Sequence, residues 1–158
     1  MAKSKALPDR VARLIERARH LFVALAEAHH LELEWNEKAP VELAAWVRRQ
    51  PGLDWNLWLN LQNNDEIGIQ HQFFYVEWFP ADEPEPEQRF VETVDGLLSG
   101  AVRLRCSFRR GKSLPYLVDF QRETAGKWAT FYSYARGLSL GRPALVSILR
   151  NGHPTVEE

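Results

Sequence analysis

Cysteine is almost missing from this chain, and so is methionine: there is one of each in 158 residues. A lone Cys106 excludes an intramolecular disulfide and a cysteine-based zinc cluster. No apolar run approaches the about 18 residues that a membrane-crossing helix needs. The basic, Ala/Arg-rich N-terminus contains no signal-peptide core. These absences predict a reducing, cytoplasmic compartment and no association with a membrane. The histidines form no metal signature: His29 and His30 stand side by side, and neither H-x-H nor H-E-x-x-H occurs. No internal repeat, low-complexity segment or domain boundary is visible, and neither a metal nor a cofactor is expected.

What is present is ordinary in bulk and unusual in detail. Apolar residues make up 45% and charged residues 26%, as in a soluble globular protein. A chain of this length buries about two-thirds of its unfolded surface without staples. The expectation is one α+β domain over residues 1–158, with flexible ends at 1–7 and 153–158. Six tryptophans predict an aromatic core. The net charge of −1 is divided into blocks. Residues 1–19 carry six basic and two acidic groups, residues 20–100 four and fifteen, and residues 101–158 ten and four. Such blocks either neutralise one another in the fold or leave a polarised surface that steers a charged partner.

Periodicity predicts a helix over 8–30, with Pro8 in its first turn and a stripe of Val11, Leu14, Ile15, Ala18, Phe22 and Leu25. A short strand follows at 31–35, and a second helix opens at Pro40 and ends before Pro51-Gly52. Trp55, Leu57, Leu59 and Leu61 alternate along a strand that ends at the turn 63–66. A helix at 86–99 closes on Gly100. Strands are predicted at 101–109, 115–122 and 127–135, and a last short helix from Pro143 to about Arg150. The order α-β-α-β-β-α-β-β-β-α has no βαβ rhythm. It predicts an α+β fold in which one mainly antiparallel sheet of five to six strands is packed by about four helices.

The stretch IGIQHQFFYVEWFP, 67–80, begins by alternating and ends aromatic on both faces. Strands wet on one side alternate and strands covered on both sides do not. Residues 67–79 are therefore expected as one interior strand beside 55–62, with its aromatic half covered by the chain itself.

Local motifs carry little chemistry. GLSLG, 137–141, matches the G-x-S-x-G nucleophile elbow, but only His153 and the terminal Glu157 and Glu158 follow Ser139, so no triad is expected. GKS, 111–113, lacks the earlier glycine and the following helix of a phosphate loop, and reads as a hairpin turn. Arg103 and Arg105, with Tyr116 nearby, are read as a solvated strand face, so nucleic acid is not the expected partner. Cys106 shares a face with Leu104 and Phe108 and is read as a core thiol.

Two functional readings remain. The first is a non-enzymatic intracellular protein-binding module (adaptor, chaperone-like or inhibitor) that uses an aromatic and acidic sheet edge. Its residues are Tyr75, Trp78, Phe79, Asp82 and Glu83, and its partner is a basic protein or peptide, because charge governs encounter and rings govern affinity. The alternative is a small-ligand-binding or enzymatic domain with a pocket formed by His71, Glu77, Tyr132 and Tyr134 beside the 128–134 strand.

Overall fold

A computed structural model describes residues 8–137 and 140–158. Helix α1 (Asp9–Ala28) follows Pro8 and buries Val11, Leu14, Ala18, Phe22 and Leu25, the stripe expected from its spacing. It ends where His30 takes a left-handed φ of 56° and the Leu31 amide donates back to Ala26, an arrangement that satisfies the last carbonyls. Five strands then form an antiparallel meander: β1 (Glu34–Trp35), β2 (Leu43–Val47), β3 (Leu57–Gln62), β4 (Glu66–His71) and β5 (Phe74–Trp78), in the order β1-β2-β3-β4-β5. Asn63 and Asn64, with φ of 50° and 69°, make the β3–β4 turn, since asparagine tolerates this region.

Helix α2 (Pro84–Ser99) leads into a second antiparallel sheet of β6 (Val102–Phe108), β7 (Leu117–Thr124), β8 (Lys127–Ala135), β9 (Leu145–Leu149) and β10 (Val156–Glu157), ordered β10-β9-β6-β7-β8. The C-terminal residues expected as a flexible end thus include a strand paired with β9.

The α+β class stands, but the expected single sheet packed by about four helices does not. There are two sheets of five strands each and, among the described residues, two helices. Three segments account for the difference. Residues 43–47, expected in a helix opened by Pro40, are β2: Leu43, Ala45 and Val47 alternate with Ala44 and Trp46, and pairing with β1 and β3 on both sides outweighs helix propensity. The helix expected after Pro143 is β9, whose Val146 and Ile148 are β-branched and two apart, and which pairs with β6 and β10. The strand expected over 67–79 is a hairpin that reverses at Gln72 and Phe73, with His71 opposite Phe74. One face then carries Ile67, Ile69, His71, Phe74, Val76 and Trp78, and the other Gly68, Gln70, Tyr75 and Glu77. Alternation is kept; the apparent two-sided aromaticity comes from reading through a turn. Ser139 of the G-x-S-x-G match lies outside the described residues.

Helix α1 packs over β2 and β3, while α2 packs over β4 and β5 and also against β6. Phe22 stacks near Trp35 (6.5 Å) and Phe90 (5.8 Å), and Phe74 meets Phe120 of the second sheet edge-on at 4.8 Å. Most of the buried apolar residues of the helices and both sheets form one contiguous cluster. The close approach of α2 to β6 requires Gly96, where a Cβ would stand 2.4 Å from Val102 Cγ2. The charge blocks meet beside the helices, where Arg10 forks onto Asp82 (2.9 Å to each oxygen) and Arg17 binds Glu87; just beyond the end of α1, His29 Nε2 lies 2.8 Å from Asp95. In the second sheet Arg103 donates to Gln121 (2.8 Å) and lies over Trp128 (4.4 Å), and Arg105 stands 3.8 Å from both Asp119 and Glu158. This strand face is engaged with the protein's own side chains.

Candidate functional site

Strand β5 is an edge of the first sheet and β8 an edge of the second. They meet where Phe74 packs on Phe120, next to the first half of α2. Two clefts open there. One, of about 330 Å³, is lined by Glu77, Trp78, Phe79, Glu83, Glu85, Pro86 and Arg89. The other, of about 250 Å³, is lined by Trp78, Arg89, Glu92, Thr93, Arg122, Phe131 and Tyr132. Trp78 and Arg89 belong to both, so the clefts run into one another as a groove between the two sheet edges.

Each wall has a local cause. Trp78 lies on the inner face of β5, half-buried, with its ring edge-on to Phe90 at 5.8 Å. Phe79 follows the end of β5, before a cis Pro80, and is 66% exposed. Glu83 precedes α2 in an extended conformation, and its side chain makes no cap hydrogen bond. On β8 the pairing with β7 slips between Phe120 and Gln121, so Phe131 is the extra residue between Thr130 and Tyr132. Bulges re-aim side chains, and here the slip lets two consecutive rings approach Phe120, Phe131 at 6.4 Å and Tyr132 at 5.5 Å. Both remain exposed, at 43% and 39%. Arg122 lies over the Phe131 ring at 4.6 Å and Arg89 binds Glu85 at 2.6 Å. The groove's charged lining is four carboxylates and two guanidiniums, net −2.

Of the residues singled out from sequence, Trp78, Phe79, Glu83, Glu77 and Tyr132 line this groove. Burial, and then the charges of Glu77 and Tyr134, raise the Tyr132 hydroxyl above its ordinary pKa, so the second and third of these lie within electrostatic reach of it. Tyr134 is half-buried against the core, under Arg136. Tyr75 faces the other side of its sheet, where its hydroxyl donates to Glu77 (2.9 Å) and accepts from Gln62 (2.5 Å). Burial, and then that carboxylate, push its pKa upward. Gly68 makes room for this ring: a Cβ there would stand 3.3 Å from the Tyr75 oxygen. Asp82 is taken by Arg10, whose guanidinium holds the carboxyl below its usual range. His71 is at the far end of the hairpin from Glu77, and lines a different cavity.

Phe131, Arg89, Glu92 and Arg122 were not legible as site residues. The one available signal was WATFYSY, 128–134, apolar or aromatic on both faces without a charge. Among the described residues, no three His, Cys, Asp or Glu side chains are grouped to hold a metal ion. Cys106 is fully buried, its thiol pushed up to about 12 first by that burial and then by Asp119. No helix of the described residues is long and apolar enough to cross a membrane. Comparison with protein-family models, with curated proteins and with solved structures found no match to this chain.

Proposed function

We propose that this protein is a non-enzymatic, intracellular protein-binding module that takes an extended, basic segment of a partner into the groove between β5 and β8. The observation that carries the reading is the open edge of β8. This strand spans Lys127–Ala135, pairs on one side with β7, and has no charged side chain between Trp128 and Ala135. Native sheets blunt a free edge with charges, proline or cover, and an unblunted one is a template for another strand. Strand addition draws affinity from main-chain hydrogen bonds and selects sequence through pockets for alternate side chains. The groove offers such pockets beside Trp78, Phe79, Phe131 and Tyr132.

Charge supplies the second half of the recognition. A net −2 lining attracts lysine and arginine and repels a phosphate backbone. Ordering an extended segment opposes the ring burial, which suits affinities around the micromolar range.

The test is an array of extended 12-residue peptides differing in net charge and β propensity, followed by titration of the best binders. Basic, strand-forming peptides should bind, and proline-interrupted or acidic versions should not. Binding should protect the amides of 128–135 from hydrogen exchange. Phe131→Ala and Glu83→Lys/Glu92→Lys should weaken binding about tenfold or more, while leaving the unfolding curve in place. Binding that ignores peptide charge, or that leaves β8 unprotected, would show the reading to be wrong.

A further inference from the structure

We propose that a second site, at the opposite end of the first sheet, binds a small organic anion: a carboxylate or phosphate carried on a flat, apolar body. A cavity of about 420 Å³ lies where β2 ends, β3 begins and β4 ends, against the turn that follows β9. Its volume is within the range of ordinary small-molecule sites.

Three side chains in its wall hold hydrogen-bond donors that nothing among the described residues receives. Trp55 is 7% exposed, and its indole N–H has no acceptor. His71 is equally buried, and its Nδ1 accepts the Phe73 amide (3.2 Å), which leaves the hydrogen of the neutral ring on Nε2. The Arg49 guanidinium has neither an ion pair nor a hydrogen bond; only its backbone amide is used, toward Asn56. Of these donors the Trp55 N–H is the one that is both buried and unmatched, which native proteins rarely leave so. Beside it, the Nε2 hydrogen of His71 and the exposed, unpaired guanidinium of Arg49 suit an oxyanion.

The remaining charged groups of the wall agree. Arg48 forks onto Glu34 and lies over Trp46 at 4.3 Å; Arg150 donates to the Gly100 carbonyl. The wall's one carboxylate, Asp54, accepts the Gly152 amide at 2.7 Å. With Arg48 already paired to Glu34, Arg49 and Arg150 against Asp54 leave the site net positive by one charge, with His153 on the same rim. Trp46, Trp55 and Leu149 supply the apolar surface that asks for a flat body rather than a bare ion.

The site is also held in shape. Asn151, 7% exposed, donates to the carbonyls of Gly52 (2.9 Å) and Leu98 (2.5 Å) and accepts the Asp54 amide (2.9 Å). One side chain thus ties the turn after β9 to the loop before β3 and to the end of α2. A preformed wall spends less binding energy on ordering.

The experiment is calorimetric titration of the full chain with phenyl phosphate, benzoate, inorganic phosphate and benzylamine, with the Trp55 indole N–H followed by NMR. Phenyl phosphate or benzoate should bind and shift that signal, and benzylamine should not. Trp55→Phe keeps the ring's bulk and removes the donor, and Arg49→Gln removes the cation. Each should weaken binding about tenfold. Neither change should alter peptide binding in the β5–β8 groove. The proposal fails if neither aromatic anion binds, if benzylamine binds as well as they do, or if both variants retain full affinity. If inorganic phosphate alone matches phenyl phosphate, the flat-body requirement is wrong.

Discussion

At the residue scale, His71 shows how surroundings decide chemistry. Its ring lies among Trp55 (6.0 Å), Phe73 (5.2 Å) and Phe74 (5.4 Å), and burial lowers its pKa to about 4. An unfolded histidine titrates near about 6.5. Between these values the unfolded chain binds the extra proton, so stability is complete above about pH 6.5 and falls as pH drops toward 4, by an amount on the order of 3 kcal/mol. His71→Phe should flatten this part of the profile in urea unfolding followed at several pH values. A slope equal to the parent's would mean that other groups cause it. The two aromatics on the inner face of β5, Phe74 and Trp78, should behave differently from each other. Phe74 is 1% exposed and Trp78 only half-buried. Phe74→Ala should cost about 3 to 5 kcal/mol, and Trp78→Ala less, with its larger effect on peptide affinity. The sequence offered His71 as a pocket residue together with Glu77, Tyr132 and Tyr134, whereas it lines a cavity that contains none of those three. The neighbours of His71 were not legible, because they follow from a turn at Gln72 and Phe73 that carries no glycine, proline or asparagine. The His71 side chain, accepting the Phe73 amide, does the work such residues usually do.

At the element scale, the long helices and the strands of regular alternation were readable, and the errors share one physical origin. β2 is built from LAAWV and β9 from LVSIL, short apolar segments whose period cannot be told from five residues. Which structure wins is decided by neighbours: β2 lies between β1 and β3, and β9 between β6 and β10. Turn chemistry was more reliable where asparagine or glycine was present. The β7–β8 turn is Ala125-Gly126, and Ala125 is held at φ 51°. Left-handed backbone costs an alanine about 1 kcal/mol, and asparagine tolerates it better. Ala125→Asn should therefore raise stability by roughly 0.5 to 1 kcal/mol, seen as a higher melting temperature; a fall would show that the turn is not strained as described. β8 itself was legible as a strand from its composition, but its place at an edge was not, and that place is what gives Phe131 and Tyr132 their proposed use.

At the scale of the whole molecule, two sheets and two helices share one apolar cluster, and a single buried amide joins parts far apart in sequence. Asn151→Ala strands the carbonyls of Gly52 and Leu98 and the amide of Asp54. It should cost about 2 to 4 kcal/mol and raise hydrogen exchange both at 52–56 and at the end of α2. A cost below about 1 kcal/mol would mean that water replaces the amide. The same view resolves the charge blocks. The basic N-terminal block meets the acidic one through Arg10 and Arg17, so part of the sequence's polarity is satisfied between α1 and its neighbours. By itself the sequence determined the α+β class, the two long helices, the core identities of Phe22, Phe90, Leu104 and Cys106, and the absence of an internal disulfide, because composition and periodicity fix which surfaces must leave water. Tertiary structure decided where 67–79 reverses, that the strands divide into two sheets, and which edges stay open. It also decided that Trp78 and Phe131 line one cleft, and His71 and Arg49 the other. These are pairings between distant segments, and their free energy comes from contacts that no local window of residues contains.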